Sequence, residues 1–185
     1  MTLSKEEKRL ALQIARDELH GFLKPQAHKI KQDKTFPQFL MSKCGVFVSL
    51  YVGKQLRGCI GTFSEEKPLH KNIRKMAHAA ATQDSRFPSI RAEELDLLRI
   101  EISILSPRLA IEGPEEIEIG KHGIYLESGA NRGTLLPQVA VNQEWTVEEF
   151  LGNCAQNKAG LAWDGWKSAR LFTYEAIIFD SGLED

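Results

Sequence analysis

The octapeptide Leu56-Arg57-Gly58-Cys59-Ile60-Gly61-Thr62-Phe63 concentrates the residue types best suited to chemistry. A thiol and a guanidinium stand two positions apart, so on an extended strand they share a face. A nearby positive charge favours the thiolate, the nucleophilic form of cysteine. The guanidinium fork of Arg57 offers a second use, gripping a carboxylate or phosphate through two bonds. Two glycines inside a strand leave room for a ligand or another backbone to come close. Cys59 and Arg57 are therefore candidate catalytic residues, and Gly58, Gly61 and Thr62 candidate substrate contacts. The competing reading keeps Cys59 as a small packed strand residue and Arg57 as an ion-pair partner, for example of Glu101.

Asp84-Ser85-Arg86-Phe87-Pro88 joins an acid, a hydroxyl and a cation directly after a helical stretch. Asp84 and Arg86 are further candidate ligand contacts; the alternative is a rigid corner in which they pair with each other. His122, in Lys121-His122-Gly123, is a candidate proton-transfer residue, against a turn-stabilising role. His70 and His78 lie too far apart on one helix to share a metal, and His20 and His28 have no recognisable context. Cys44, Cys59 and Cys154 form no Cys-x-x-Cys, and no histidine pair has ligand spacing, so no metal site is expected. No phosphate-loop, dinucleotide or nucleophile-elbow signature occurs, and no cofactor is implied. Cys154 falls on the apolar stripe of its helix. Trp163 and Trp166 flank Gly165 as aromatic anchors or an exposed patch.

Helices and hairpins must position these groups. Ser4 with Glu7 forms a capping box ahead of Leu10, Ile14, Ala15, Leu19 and Phe22 at helical spacing, and Gly21 marks that helix's end. Lys24 to Pro37 reads as a loop. Val46–Val52 and Leu56–Phe63 form a hairpin across Gly53-Lys54-Gln55. Pairing Val52 with Leu56 places Ser49 opposite Cys59 and Tyr51 opposite Arg57. Pro68 opens a helix whose buried stripe is Leu69, Ile73, Met76, Ala77 and Ala80, ended by Pro88. A short turn is expected within Ser89–Leu95, then a strand through Leu98, Ile100, Ile102 and Ile104. Ile124–Leu126 and Thr134–Leu136 suggest a second hairpin around Gly129 to Gly133. Thr146 with Glu149 caps a helix burying Val147, Phe150, Leu151 and Cys154. Arg170–Phe179 reads as one closing strand. Hairpins without repeated βαβ units predict an α+β fold, with a mainly antiparallel sheet flanked by helices. No repeat and no interdomain linker is visible.

Composition bounds the classes. The chain has 185 residues, 42% hydrophobic and 26% charged, with a net charge of -1, which excludes a disordered or strongly basic protein. No apolar run approaches the roughly 20 residues of a membrane span. A charged N-terminus without a signal's apolar stretch, and an odd cysteine count, suit the cytoplasm. The charge is uneven. Residues 1–91 hold 17 Lys+Arg and 8 Asp+Glu, against 7 and 17 in residues 92–185. A basic face would suit an anionic ligand, unless the halves interleave and cancel. Nucleic-acid binding is the weakest reading, because no aromatics interleave with the basic residues.

The octapeptide resembles the hallmark of the AMMECR domain family. Asp84-Ser-Arg-Phe-Pro88, Glu101-Ile-Ser-Ile-Leu-Ser-Pro107, Gly120-Lys-His-Gly-Ile124, Thr134-Leu-Leu-Pro-Gln-Val-Ala140 and Lys158-Ala-Gly160 resemble later blocks in the same order. Together they cover roughly residues 44 to 175. The version here is similar to stand-alone prokaryotic members associated with a Memo-like protein and a radical SAM enzyme. The resemblance implies a compact two-lobed α+β domain with a cleft, spanning 1–185. Its N-terminal helix and loop would occupy about 1–43 and its motif-bearing body about 44–179. It implies those two partners but supplies no reaction. The leading expectation is a cytoplasmic enzyme using Cys59 beside Arg57 on a small anionic substrate. The alternative is a non-catalytic binding or accessory subunit of those partners.

Overall fold

The computed structural model describes residues 3–25 and 36–182. Helix α1 (Lys5–Leu23) starts at the expected box, with Ser4 Oγ accepting from the Glu7 amide and Glu7 accepting from the Ser4 amide. It runs past Gly21, and Phe22 stays 43% exposed with its ring edge-on to His78 at 4.5 Å. Most of the expected loop, including His28, lies outside the described residues. A short helix α2 (Gln38–Met41) precedes the hairpin of β1 (Val46–Val52) and β2 (Gln55–Thr62). Helix α3 (Leu69–Thr82) buries the predicted stripe, a 3-10 turn spans Ala92–Leu97, and β3 is Leu98–Leu105.

The remaining strands and helices follow as β4 (Leu109–Ile111), β5 (Gly123–Ser128), β6 (Asn131–Leu135), α4 (Pro137–Asn142), α5 (Val147–Asn157), β7 (Arg170–Tyr174) and β8 (Ala176–Asp180). Two sheets result, in the orders β2-β1-β3-β8 and β4-β7-β5-β6. Every strand pair with a described register is antiparallel. The fold is α+β, as expected. The chain divides into two compact units: one reaches to Leu105 and resumes at Ile177, and the other is Ser106–Ala176.

In the first unit, α1 and α3 pack on one face of the first sheet. Val46, Val48, Leu50, Ile100, Ile102 and Ile104 point into this core, each at most 1% exposed. Alternation then sends Ser49, Tyr51, Cys59, Arg99 and Glu101 to the opposite face. Some cations of the basic first half are met by acids from the second: Glu94 holds Arg57 at 2.8 Å, and Asp96 holds Lys24 at 3.0 Å.

The second unit centres on Phe150, Leu151 and Cys154 of α5 against Ile124, Leu126 and Leu135. Its hairpin is tighter than predicted. Gly133 lies within β6, opposite Leu126, and not in the loop; a Cβ there would press on the Cys154 carbonyl and the Ala159 amide. The expected closing strand is in fact two. Glu175 interrupts it by exchanging hydrogen bonds with Ser106, so β7 joins the second sheet and β8 the first.

Candidate functional site

Strand β2 is an edge of its sheet, so half its backbone groups need partners beyond β1. From Val46 to Leu50 the hairpin keeps the predicted register, with Ser49 opposite Cys59. A bulge then intervenes. Tyr51 pairs with Leu56, not with Arg57, and Arg57 becomes the extra residue with no partner on β1. Bulges re-aim side chains, and Arg57 turns to Glu94 in the 3-10 turn. Its Nε donates at 2.8 Å and its Nη2 at 3.2 Å to the two carboxylate oxygens. The ion-pair partner is thus Glu94, while Glu101 lies 3.9 Å from Arg99. The Arg57 bonds hold the Glu94 carboxyl below its ordinary range. Both side chains are about one-sixth exposed, at 15% and 16%. A double-mutant cycle of Arg57→Ala and Glu94→Ala, read by urea denaturation, is expected to give a coupling of about 1–2 kcal/mol. A coupling indistinguishable from zero would refute the pairing.

Cys59 shows how the second motif serves the first. Its amide donates to Asp84 Oδ2 at 2.8 Å, and its carbonyl accepts from Arg86 Nη2 at 3.3 Å. Asp84 and Arg86 thereby take the place of a further strand beside the β2 edge. They also clasp each other, with Arg86 Nη2 donating to Oδ2 at 2.7 Å and Nε to Oδ1 at 2.9 Å. Asp84 is buried, and the Arg86 bonds pull its carboxyl down to about 2. The corner reading of Asp84-Ser85-Arg86-Phe87-Pro88 therefore holds for this pair, and the pair acts on the octapeptide as well.

The Cys59 thiol accepts a hydrogen bond from Ser49 Oγ at 3.2 Å. Burial raises its pKa above the ordinary value; Ser49 and Arg86 oppose this, and Asp84 and Glu101 add to it. The cation acting on the sulfur is Arg86, whose side chain is itself bound to Asp84. In register across three strands stand a thiol, a hydroxyl and a carboxyl: Cys59, Ser49 and Glu101. Burial also raises the Glu101 carboxyl. Sequence separation hid Glu94 and the Asp84 contact, since neither lies within one helical turn or one hairpin of the octapeptide.

The other candidates have structural surroundings. Gly58 faces α3, where a Cβ would overlap the Ala80 carbonyl oxygen, and Gly61 lies beneath the Phe47 ring. Thr62 Oγ1 accepts from the Ser64 amide at 3.0 Å. His122 belongs to the second unit, where its Nδ1 accepts from the Glu118 amide at 3.1 Å and closes a turn. Cys154 is fully buried, and burial pushes its thiol up to about 12. Among the described residues no group of three His, Cys, Asp or Glu is arranged to hold a metal ion. No described helix is long and apolar enough to cross a membrane.

Comparison with known proteins agrees with this architecture. Protein MJ0810 of Methanocaldococcus jannaschii is 38% identical over 96% of this chain and 92% of its own length. Protein MK0488 of Methanopyrus kandleri is 39% identical over 96% of this chain and 90% of its own. The crystal structure of Uncharacterized Protein PH0010 from Pyrococcus horikoshii superposes with a TM-score of 0.88 at 35% identity, covering 97% of this chain and 94% of that one. The AMMECR1 family model matches residues 12–179, and the chain belongs to that family.

Proposed function

We propose that the chain is a binding or accessory protein whose octapeptide shapes a surface, with Cys59 a protonated hydrogen-bonding thiol and not a nucleophile. One observation carries this reading: both guanidiniums of the two motifs are clasped by the chain's own carboxylates. Arg57 is held by Glu94 and Arg86 by Asp84. Each is already engaged by a carboxylate, and although Arg86 still favours the thiolate, burial outweighs it and disfavours the charged form of the sulfur. The glycines have local work: Gly58 lets α3 approach, and Gly61 accommodates the Phe47 ring. The resemblance supplies the proposed setting, a cytoplasmic subunit acting with a Memo-like protein and a radical SAM enzyme.

Thiol labelling across pH tests the chemical half. In the native protein Cys59 is expected to react more slowly than free cysteine at neutral pH, and to accelerate only at alkaline pH. Peptide mass spectrometry separates it from Cys44 and Cys154. Labelling faster than free cysteine would restore the nucleophile. For the accessory half, calorimetry with purified Memo-like and radical SAM proteins is expected to detect binding that Cys59→Ser retains. Loss of binding to neither, or binding to neither by the wild type, separates the outcomes: the first supports the proposal and the second ends it.

A further inference from the structure

Around the octapeptide and the polar face of the first sheet, three carboxylates each hold a guanidinium. Asp84 meets Arg86 at 2.7 Å, Glu94 meets Arg57 at 2.8 Å, and Asp180 meets Arg99 at 2.8 Å. Glu101, on that same face, is different. Among the described residues the one cation within 4 Å of it is Arg99, whose Nη1 lies 3.9 Å away and already donates to Asp180. The Arg99 guanidinium is further fixed over the Tyr51 ring, 4.3 Å from its centroid.

Strand register places Glu101 opposite Ser49 and Ser49 opposite Cys59. Ser49 donates its only hydroxyl hydrogen to the Cys59 sulfur, so it has none left for Glu101. No described residue donates a hydrogen bond to the Glu101 carboxyl. Its side chain is nonetheless only 19% exposed. A carboxylate so far withdrawn from water is ordinarily paired or hydrogen-bonded. Burial raises this carboxyl, and Arg99 opposes the rise. Burial and then the Glu101 charge raise the Tyr51 phenol, which puts that hydroxyl within electrostatic reach of the acid.

We propose that Glu101 receives the ammonium group of a small primary amine whose alkyl chain runs across Ser49 toward Cys59. The unmatched charge is a single negative one, which calls for a monocation. An ammonium carries three N–H donors for the vacant carboxylate oxygens and the neighbouring Tyr51 hydroxyl. A guanidinium favours an aromatic plane, and the Tyr51 ring is already covered by Arg99. From β3 to β2 is two strand spacings, roughly 9–10 Å, within which a four-carbon amine fits. This site belongs to the octapeptide surface proposed above and so depends on that reading; all its residues lie in the first unit.

n-Butylamine serves as the probe, 1-butanol as the uncharged control and butyltrimethylammonium as the cation without N–H donors, each titrated into the full chain. The readout is the side-chain carboxyl carbon resonance of Glu101, assigned through the backbone. Saturating butylamine is expected to lower the midpoint of its titration by about one pH unit or more, as an opposite charge in contact does. Butylamine is also expected to bind about tenfold or more tightly than either control. Glu101→Gln is expected to weaken butylamine by about tenfold or more with an unchanged circular dichroism spectrum; if that variant does not fold, the wild-type carbon titration still decides. An unmoved Glu101 midpoint, or equal affinity for butylamine and either control, would overturn the proposal. Slow Cys59 labelling with no response of Glu101 to butylamine would end this proposal alone. Fast Cys59 labelling with the Glu101 response intact would instead end the reading of Cys59 as a non-nucleophile.

Discussion

Gly58→Ala is expected to destabilise the protein by about 3 kcal/mol or more, the upper end of overpacking penalties. Gly58 faces α3, and the new methyl carbon would overlap the Ala80 carbonyl oxygen, a backbone atom in the last turn of that helix. A flexible side chain could swing aside; a helical carbonyl moves only with its helix. Displacing α3 would also disturb Ile73, Met76 and Ala77, which are buried in the first core. The measurement is the midpoint of urea denaturation. Gly53→Ala provides the comparison. Gly53 has φ +58° with nothing within 4 Å of an added Cβ, so only backbone strain of about 1 kcal/mol is expected. A Gly58→Ala protein as stable as Gly53→Ala would show that α3 does not rest on β2 as described.

Asp84→Ala should rank next, at about 3 kcal/mol, because it leaves the Cys59 amide without its acceptor and Arg86 without its partner. Asp84→Asn should cost less, about 2 kcal/mol, since an amide oxygen can still accept from Cys59 while the charge is gone. The charged contribution carries a pH signature. The Asp84 carboxyl is held at about 2, below its ordinary value of 3.8, mainly by Arg86. Its contribution is present in full above the unfolded value and is lost as pH falls through about 2. The shift corresponds to on the order of 2 kcal/mol. Wild type should therefore exceed Asp84→Asn in denaturant midpoint at neutral pH, and the gap should narrow progressively below pH 4. A gap that stays constant with acidification would assign the loss to packing and not to charge.

How far the sequence could be read depended on the range of the contact involved. The capping boxes at Ser4 and Thr146, the α3 stripe and the β3 alternation are local, and each appears where the spacing placed it. Ser49 faces Cys59 as expected although the turn is one residue shorter than expected: Val52 pairs with Gln55, not with Leu56, and the extra residue at Arg57 restores the register. The bulge at Arg57 escaped because Gly58, the one local sign of an irregular strand, is equally explained by close approach of a ligand or another backbone. Division of Arg170–Phe179 between two sheets escaped for a related reason. Its β-rich pattern is almost continuous, and the break at Glu175 is imposed by Ser106, far away in sequence. In the candidate site, the thiol and its neighbouring cations were legible as residue types. Their commitments were not, since Glu94 and Asp84 reach the octapeptide only through the tertiary fold.

The first unit is discontinuous: it resumes at Ile177, and its sheet takes its fourth strand, β8, only after the second unit has intervened. On the ribosome, the later unit is the one that can close in a single uninterrupted stretch. Until synthesis has passed Asp180, β3 presents an apolar margin of Ile100, Ile102 and Ile104 with unsatisfied backbone on one side. That interval is the chain's exposure to strand-to-strand self-association during birth, and a C-terminal truncation that removes β8 would make it permanent.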